Sequence, residues 1–470
     1  MIKQEDLARQ IRNNLPYTPT SQQEVLIDAL ANFCNSPMSQ HNEVFLLNGY
    51  AGTGKTSVVG ALVKALSVSG RRSVLLAPTG RAAKVFSRFA AHPAYTIHRR
   101  IYHTDPDSGE FNSLAENTAR PGTVFIVDEA SMIGGDNQAT CTSLLDDLIQ
   151  YIYMADGCRL ILLGDTAQLP PVGCTQSPAM SREVLRMFGL KVTRVVLTAT
   201  VRQAAESGIL YNATWLRKAM KLKPLPEPKL TLTPFDDASS VEGSDLVDEI
   251  SDAYSHNGLE ETIVITRSNR AATQYNLAIR SQILELEEML VPGELVMIAK
   301  NNYFWTRKIK GFDFIANGDI ARVVKVLGVE ERMGMKFADV ILVFPDREIE
   351  IEVKVSLDAL ISETPALSPE QMQQLTAVAI SDPERYPSGI PIERRLKMLR
   401  YDPVFNALQI KYAYAVTCHK SQGGQWDSVF VDMGYIPPEA QGIDFYRWLY
   451  TSVTRAKKTV KFINPRLKIK

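Results

Sequence analysis

Over about the first 200 residues, short apolar runs alternate with segments whose apolar positions recur at helical spacing. Residues 44–47, 73–77, 123–127 and 160–163 read as buried strands, and residues 57–69 and 82–90 as helices between them. Strand–helix alternation predicts a mostly parallel sheet. The pattern breaks at residues 101–122. There His103-Thr104-Asp105-Pro106-Asp107-Ser108-Gly109 is rich in turn formers and lies between Tyr102 and Phe111. A small hairpin inserted in the domain is expected.

Residues 221–228, with prolines at 224, 226 and 228, predict an extended connector near the boundary to a second unit. That unit resumes with a helix near 245–256, a strand at 262–266 and a helix at 271–286. From 317 to about 353 the pattern changes to β-branched alternation, in 320–326, 339–344 and 349–353. Short strands without intervening helices predict a small barrel inserted into the second α/β unit. The α/β pattern returns at 412–417, 428–431 and 460–463. The expected division is a first domain over 1–200 with its hairpin at about 99–120, a barrel over 317–404, and a second domain from 201–316 and 405–470.

A chain of 470 residues exceeds one hydrophobic core. No apolar run reaches membrane-spanning length, and the first residues do not form a signal peptide. The five cysteines lack CxxC spacing and read as reduced thiols of a cytoplasmic protein. The 52 basic and 52 acidic residues balance. Balance argues against a wholly basic nucleic-acid coat and leaves room for a basic channel.

The chemistry is carried by Gly49-Tyr50-Ala51-Gly52-Thr53-Gly54-Lys55-Thr56, which lies between the strand at 44–47 and a helical segment. Glycines let backbone amides curl around phosphate oxygens, and the following helix N-terminus favours negative charge. Lys55 is placed to reach the β- and γ-phosphates, and the Thr56 hydroxyl to sit on Mg²⁺. Asp128 and Glu129 follow a buried strand. Phosphoryl transfer to water needs one carboxylate on Mg²⁺ and another to orient or deprotonate the water, and these two fit in that order. Gln168, in Gly164-Asp165-Thr166-Ala167-Gln168-Leu169-Pro170-Pro171-Val172, stands at another strand end, where it could touch the γ-phosphate. On spacing alone, Arg202 and Arg455 are surface arginines, and the run Glu393-Arg394-Arg395-Leu396-Lys397-Met398-Leu399-Arg400 is equally a solvated face or a nucleic-acid contact.

Together these motifs resemble superfamily-one helicases of the branch that includes the RecD and Dda proteins. The likeness runs in order from about Thr20 to Lys457. Thr20-Ser21-Gln22-Gln23 is similar to the adenine-reading motif, with Gln23 as the base contact. Ala77-Pro78-Thr79-Gly80-Arg81 and Tyr95-Thr96-Ile97-His98 resemble strand-binding motifs. Ala415-Val416-Thr417-Cys418-His419-Lys420-Ser421-Gln422-Gly423 resembles the element that grips DNA and couples grip to ATP. Tyr450-Thr451-Ser452-Val453-Thr454-Arg455 closes the set. Residues 132–147 do not look like the signature helix of Pif-type relatives, and no appended nuclease pattern is visible.

The resemblance implies two RecA-like P-loop motor domains with ATP and Mg²⁺ in the cleft between them, and an inserted SH3-like barrel. Gly49, Ala51, Gly52, Thr53, Gly54, Lys55 and Thr56 would hold the nucleotide, with Gln23 on its base. Arg202 and Arg455 would be arginine fingers, alongside Glu129 and Gln168. Single-stranded DNA, from a forked duplex, would meet Pro78, Thr79, Arg81, Thr96, His98, Thr417, His419 and Lys420. The implied activity is ATP-driven 5′→3′ DNA unwinding, with the hairpin as strand-separating pin and recombination or replication proteins as partners. Three other readings stay open at this point. The chain could be the motor subunit of an exodeoxyribonuclease V alpha-like complex, an RNA-acting motor, or a slow nucleotide switch.

Overall fold

The computed structural model describes residues 4–37, 42–104, 111–134, 143–199, 206–309, 312, 314–345, 349–387 and 389–469. Its first sheet has six parallel strands. Their spatial order is Ala94–Thr96, Ser73–Ala77, Val124–Val127, Arg159–Gly164, Glu43–Gly49 and Lys191–Leu197. Side chains alternate faces along each strand. Phe45 and Leu47 therefore pack with Leu26, Leu30, Val58 and Leu62 of helices Ser21–Asn35 and Lys55–Val68. Val44 and Leu46 pack on the opposite face with Leu145, Leu148 and Ile152 of helix Leu144–Tyr153. Both faces are covered, which is why these strands read as continuous apolar runs. Lys191–Leu197 was not expected as a strand. It lies at the sheet edge, where Lys191, Thr193 and Arg194 among its valines weaken the apolar signal.

A second sheet of five parallel strands has the order Ala238–Val241, Ala456–Ile463, Trp426–Asp432, Thr262–Thr266 and Ala415–Thr417. The two sheets are the cores of two parallel α/β domains. Inserted within the second of these, between Thr262–Thr266 and Ala415–Thr417 in sequence, strands Leu295–Ile298, Ile320–Arg332, Met335–Phe344, Ile349–Ser356 and Leu408–Tyr412 close into a barrel. The barrel thus begins before and ends after the expected 317–404. Leu295–Ile298 is too short to stand out by period, and Leu408–Tyr412 runs almost directly into the next sheet strand. The join between the last two barrel strands is parallel, Val355 opposite Leu408. That geometry needs a long crossover. The crossover carries helices Asp358–Ile361, Pro369–Ile380 and Ile392–Met398, with a small core of its own around Phe337, Leu375, Val378 and Val404.

Two antiparallel strands, Tyr102–Thr104 and Phe111–Leu114, form the inserted hairpin, with Tyr102 opposite Leu114. Its turn, residues 105–110, lies outside the described residues. The Tyr102 hydroxyl donates to Asp147 Oδ2 at 2.6 Å and ties the hairpin base to helix Leu144–Tyr153 of the first domain. The proline-rich connector is pinned. Tyr446 donates its hydroxyl to the Pro226 carbonyl, and Lys229–Leu230 pairs with Lys468–Ile469.

The barrel is joined to the second domain by a buried ion pair. Arg280, on helix Asn269–Gln282, donates from Nε to Glu294 Oε1 at 2.6 Å. Glu294 immediately precedes the first barrel strand and also accepts from Val291 N–H and the Tyr414 hydroxyl. The guanidinium lies 4.5 Å from the Tyr412 ring centroid. Cutting one partner from such a pair leaves a buried charge without compensation. Arg280→Ala is expected to cost about 3–5 kcal/mol, read as a lowered denaturation midpoint. A loss within about 1 kcal/mol would show that the pair is solvated in solution.

Candidate active site and nucleic-acid interface

Strand Glu43–Gly49 delivers the chain to a loop that ends at helix Lys55–Val68. Gly52 and Gly54 have φ of 73° and 75°, the left-handed region where a side chain is strained. A Cβ on Gly49 would lie 3.0 Å from Lys55 Cβ. Thr53 Oγ1 donates to the Tyr50 carbonyl at 2.7 Å and closes the loop on itself. The helix then presents its N-terminal amides and Lys55 to the same space. Gln23 is buried and commits its side chain to protein. Oε1 accepts from Thr20 N–H in a capping box, and Nε2 donates to the Thr53 carbonyl at 3.0 Å and the Tyr17 hydroxyl at 3.3 Å. The structure therefore links the expected base contact directly to the phosphate loop.

Asp128 lies at the end of strand Val124–Val127, beside Lys55. Burial, followed by the charge of Glu129, pushes its carboxyl up to about 6, while Lys55 and the Glu129 amide pull it down. A divalent cation would reverse that balance. Glu129 has φ of 51°, a strained conformation for a non-glycine residue, and its Oε2 is buried without a hydrogen-bond partner. Ser131 Oγ and Gln168 Oε1 are in the same condition. Buried polar atoms are normally satisfied. Three orphaned polar atoms in the Glu129–Ser131 and Gln168 segments fit a site that receives polar ligand atoms, and Thr56 with Asp128 supplies the hard oxygen donors that Mg²⁺ takes.

Across the cleft, the second domain clamps the segment that carries Gln168. Tyr450 donates its hydroxyl to Asp165 Oδ2 at 2.6 Å and accepts from the Ala51 amide at 3.0 Å. Thr451 Oγ1 accepts from Leu169 N–H at 2.9 Å, and Gln422 Nε2 donates to the Leu169 carbonyl at 2.8 Å. Arg455 is buried. Its guanidinium donates to the Thr451 and Gly424 carbonyls and to Thr454 Oγ1, all on its own side of the cleft. The structure does not bring it against the phosphate loop. Arg202 lies outside the described residues. The approach to it is held by Gln22, whose Oε1 accepts from Thr198 and Ala199 N–H at 2.7 and 2.9 Å. Arg217 bonds the Thr198 carbonyl and stacks 4.4 Å over Tyr50. Gln22, Arg217, Tyr450 and Gln422 were missed as contacts. Three of them stood inside quoted motifs, but nothing local marks which side chain of a motif reaches a distant segment.

The expected strand-binding residues divide into three groups. Pro78 precedes the cap, and Thr79 caps helix Gly80–Ala90 by accepting from Ala82 N–H. Arg81 stacks 4.0 Å over Trp426 of the second domain. A Cβ on Gly424 would come within 2.9 Å of Arg81 Cζ, so only glycine admits this approach. Thr96 caps the next short helix and is buried, and His98 packs against Tyr102 with its protonation disfavoured by burial. Cavities of about 500 and 350 Å³ run between helix Gly80–Ala90 and the barrel and share Lys84, Arg88 and Ile320. Thr417 ends strand Ala415–Thr417, with exposed His419 and then Lys420 after it. Lys420 is pulled down to about 8 by burial, and Lys411 to about 8 by burial and by Lys420. Arg395 of the basic run is structural, since it donates to the carbonyls of Ile380, Pro387 and Ile390. Residues 135–142, where a Pif-type signature helix was not expected, lie outside the described residues.

Residues 28–222 match the family described as an AAA domain, and residues 412–463 match the UvrD-like helicase C-terminal domain. The ATP-dependent RecD2 DNA helicase of Deinococcus radiodurans is 31% identical over 172 residues, 37% of this chain and 21% of that protein. The ATP-dependent DNA helicase dda of Enterobacteria phage T4 is 26% identical over 296 residues, 59% of this chain and 62% of that protein. The chain thus matches less than two thirds of either relative. A crystal structure of Pif1 helicase from Bacteroides in complex with ADP-AlF3 and ssDNA aligns at 17% identity and TM-score 0.47, over 95% of this chain and 92% of that one.

Lys55→Ala removes the cation of the phosphate loop and is expected to weaken binding of a fluorescent ATP analogue by about tenfold or more. Glu129→Gln keeps the loop intact and is expected to retain binding while hydrolysis falls about 100-fold. Unaltered affinity in the first variant would overturn the assignment of the loop.

Proposed function

We propose that this chain, a superfamily-one helicase of the RecD/Pif1-like branch, hydrolyses ATP to move 5′→3′ along single-stranded DNA and separate forked duplexes. One observation carries the reading. Leu169, on the segment that bears Gln168, is held by Thr451 and by Gln422, and Gln422 lies two residues beyond the segment Thr417–Lys420 expected to grip the strand. A change at the γ-phosphate that moves Gln168 is therefore transmitted through the Gln422 bond to the strand-gripping segment and through the Thr451 bond to helix Ile443–Val453.

In this reading Lys55 and the loop amides bind the phosphates. Thr56 and Asp128 would hold Mg²⁺, which would supply charge neutralisation at the phosphates. Glu129 orients and deprotonates the attacking water, and its strained backbone keeps that carboxylate turned into the cleft. Gln168 reports the phosphate. Arg455 would enter only when closure frees it from its carbonyl acceptors, and Arg202 would approach from the segment anchored by Gln22. Gln23 sets the loop as well as the base pocket. The strand would lie along the seam between helix Gly80–Ala90 and the barrel. Thr79, Thr96, Thr417 and Lys420 would meet its phosphates, contacts that position a strand without reading its sequence. Arg81 is assigned to domain closure, through Trp426, more than to the strand.

The direct test is unwinding of two duplexes, one with a 5′ and one with a 3′ single-stranded tail, with ATP and Mg²⁺. Unwinding from the 5′ tail alone is expected. Unwinding from the 3′ tail alone would overturn the direction, and ATP hydrolysis stimulated by RNA and not DNA would overturn the substrate. A second expectation concerns pH. Lys411 and Lys420 carry charge below about 8 and lose it above, and a phosphate binds the ammonium form. Affinity for single-stranded DNA should therefore fall several-fold as pH rises through 8, and Lys420→Ala should flatten that fall. A slope equal in the variant would exclude these lysines.

A further inference from the structure

The cross-cleft position of Tyr450 has a role that unwinding alone does not require. Its ring comes from helix Ile443–Val453 of the second domain, and the side chain is buried. Among the described residues the hydroxyl makes two hydrogen bonds, both into the first domain. It accepts from the Ala51 N–H at 3.0 Å and donates to Asp165 Oδ2 at 2.6 Å. Asp165 is held on its other oxygen by the Ala167 amide and lies near Lys55. Ala51 is the third residue of the phosphate loop, and backbone amides of such a loop are donors for phosphate oxygens. The hydroxyl oxygen of Tyr450 thus takes a hydrogen bond that a phosphate oxygen also takes.

We propose that Tyr450 is a positioning residue that competes with the nucleotide's phosphates for the Ala51 amide, so that nucleotide entry releases helix Ile443–Val453 from the phosphate loop. The inference rests on the reading of the loop as an ATP site and adds a device that sets how readily ATP enters. A freed hydroxyl still donates to Asp165, so the helix changes its hold without losing it. Because Thr451, Ser452 and Arg455 share that helix and its end, the exchange at Ala51 reaches Leu169 through the neighbouring Thr451. Burial and the Asp165 carboxylate both keep the phenol protonated, which preserves it as a donor.

The test compares Tyr450→Phe with the wild type in two measurements, affinity for a fluorescent ATP analogue without DNA and the ratio of hydrolysis with and without single-stranded DNA. The variant keeps the ring and loses only the hydroxyl. It is expected to bind nucleotide about three- to tenfold tighter, the worth of one hydrogen bond no longer in competition. Hydrolysis without DNA should rise, and the stimulation ratio should narrow. Arg447→Met breaks another bond of the same interface, from Arg447 to the Thr175 carbonyl at 2.7 Å, away from the loop. It is expected to give no such tightening. Equal or weaker affinity in Tyr450→Phe would overturn the proposal, as would equal tightening in both variants, which would trace the effect to a looser interface. A wild type that neither binds ATP nor responds to DNA would instead sink the underlying functional reading.

Discussion

Asp165 is a carboxylate with no access to solvent, and much of the cleft is arranged around keeping it there. A buried charge is costly unless it is paired and hydrogen-bonded. Here one oxygen takes the Ala167 amide, the other takes the Tyr450 hydroxyl, and Lys55 supplies the compensating charge nearby. Those three partners come from the turn after one strand, from the opposite domain and from the phosphate loop. The two domains cannot separate at this point without leaving the carboxylate short of a partner. Interface, loop and the turn after strand Arg159–Gly164 therefore share a single electrostatic solution.

Much of this was legible in the chain. Residues 73–77 and 262–266 appear as strands at the expected bounds, and the phosphate loop stands between strand and helix as its glycines require. Buried parallel strands write themselves as continuous apolar runs, and tight loops as glycines at fixed spacing. What escaped has a common physical origin. Lys191–Leu197 is an edge strand, with charge on its open side. Leu295–Ile298 and Leu408–Tyr412 are separated in sequence by more than a hundred residues yet pair with each other. Tyr450 has the composition of a core residue, and only its partner across the cleft distinguishes it. Pairing between distant segments leaves no periodic trace in either one.

The turn Asp128–Ser131 also shows where local preference gives way. Glu129 adopts a left-handed backbone conformation that would be relaxed by glycine or asparagine. Its neighbours Asp128 and Ser131 are buried, so the turn cannot rotate to release it. Arg455 shows the converse, a side chain at ease on its own domain's carbonyls that gives up three hydrogen bonds to do anything else.

The ion pair Arg280–Glu294 makes the barrel part of the second domain, while the Tyr102–Asp147 bond makes the hairpin part of the first. Any rotation of one domain on the other is therefore also a change in the gap between hairpin and barrel. The two insertions behave as tools mounted on opposite jaws. A small angular movement at the phosphate loop is thereby carried outward to both insertions at once.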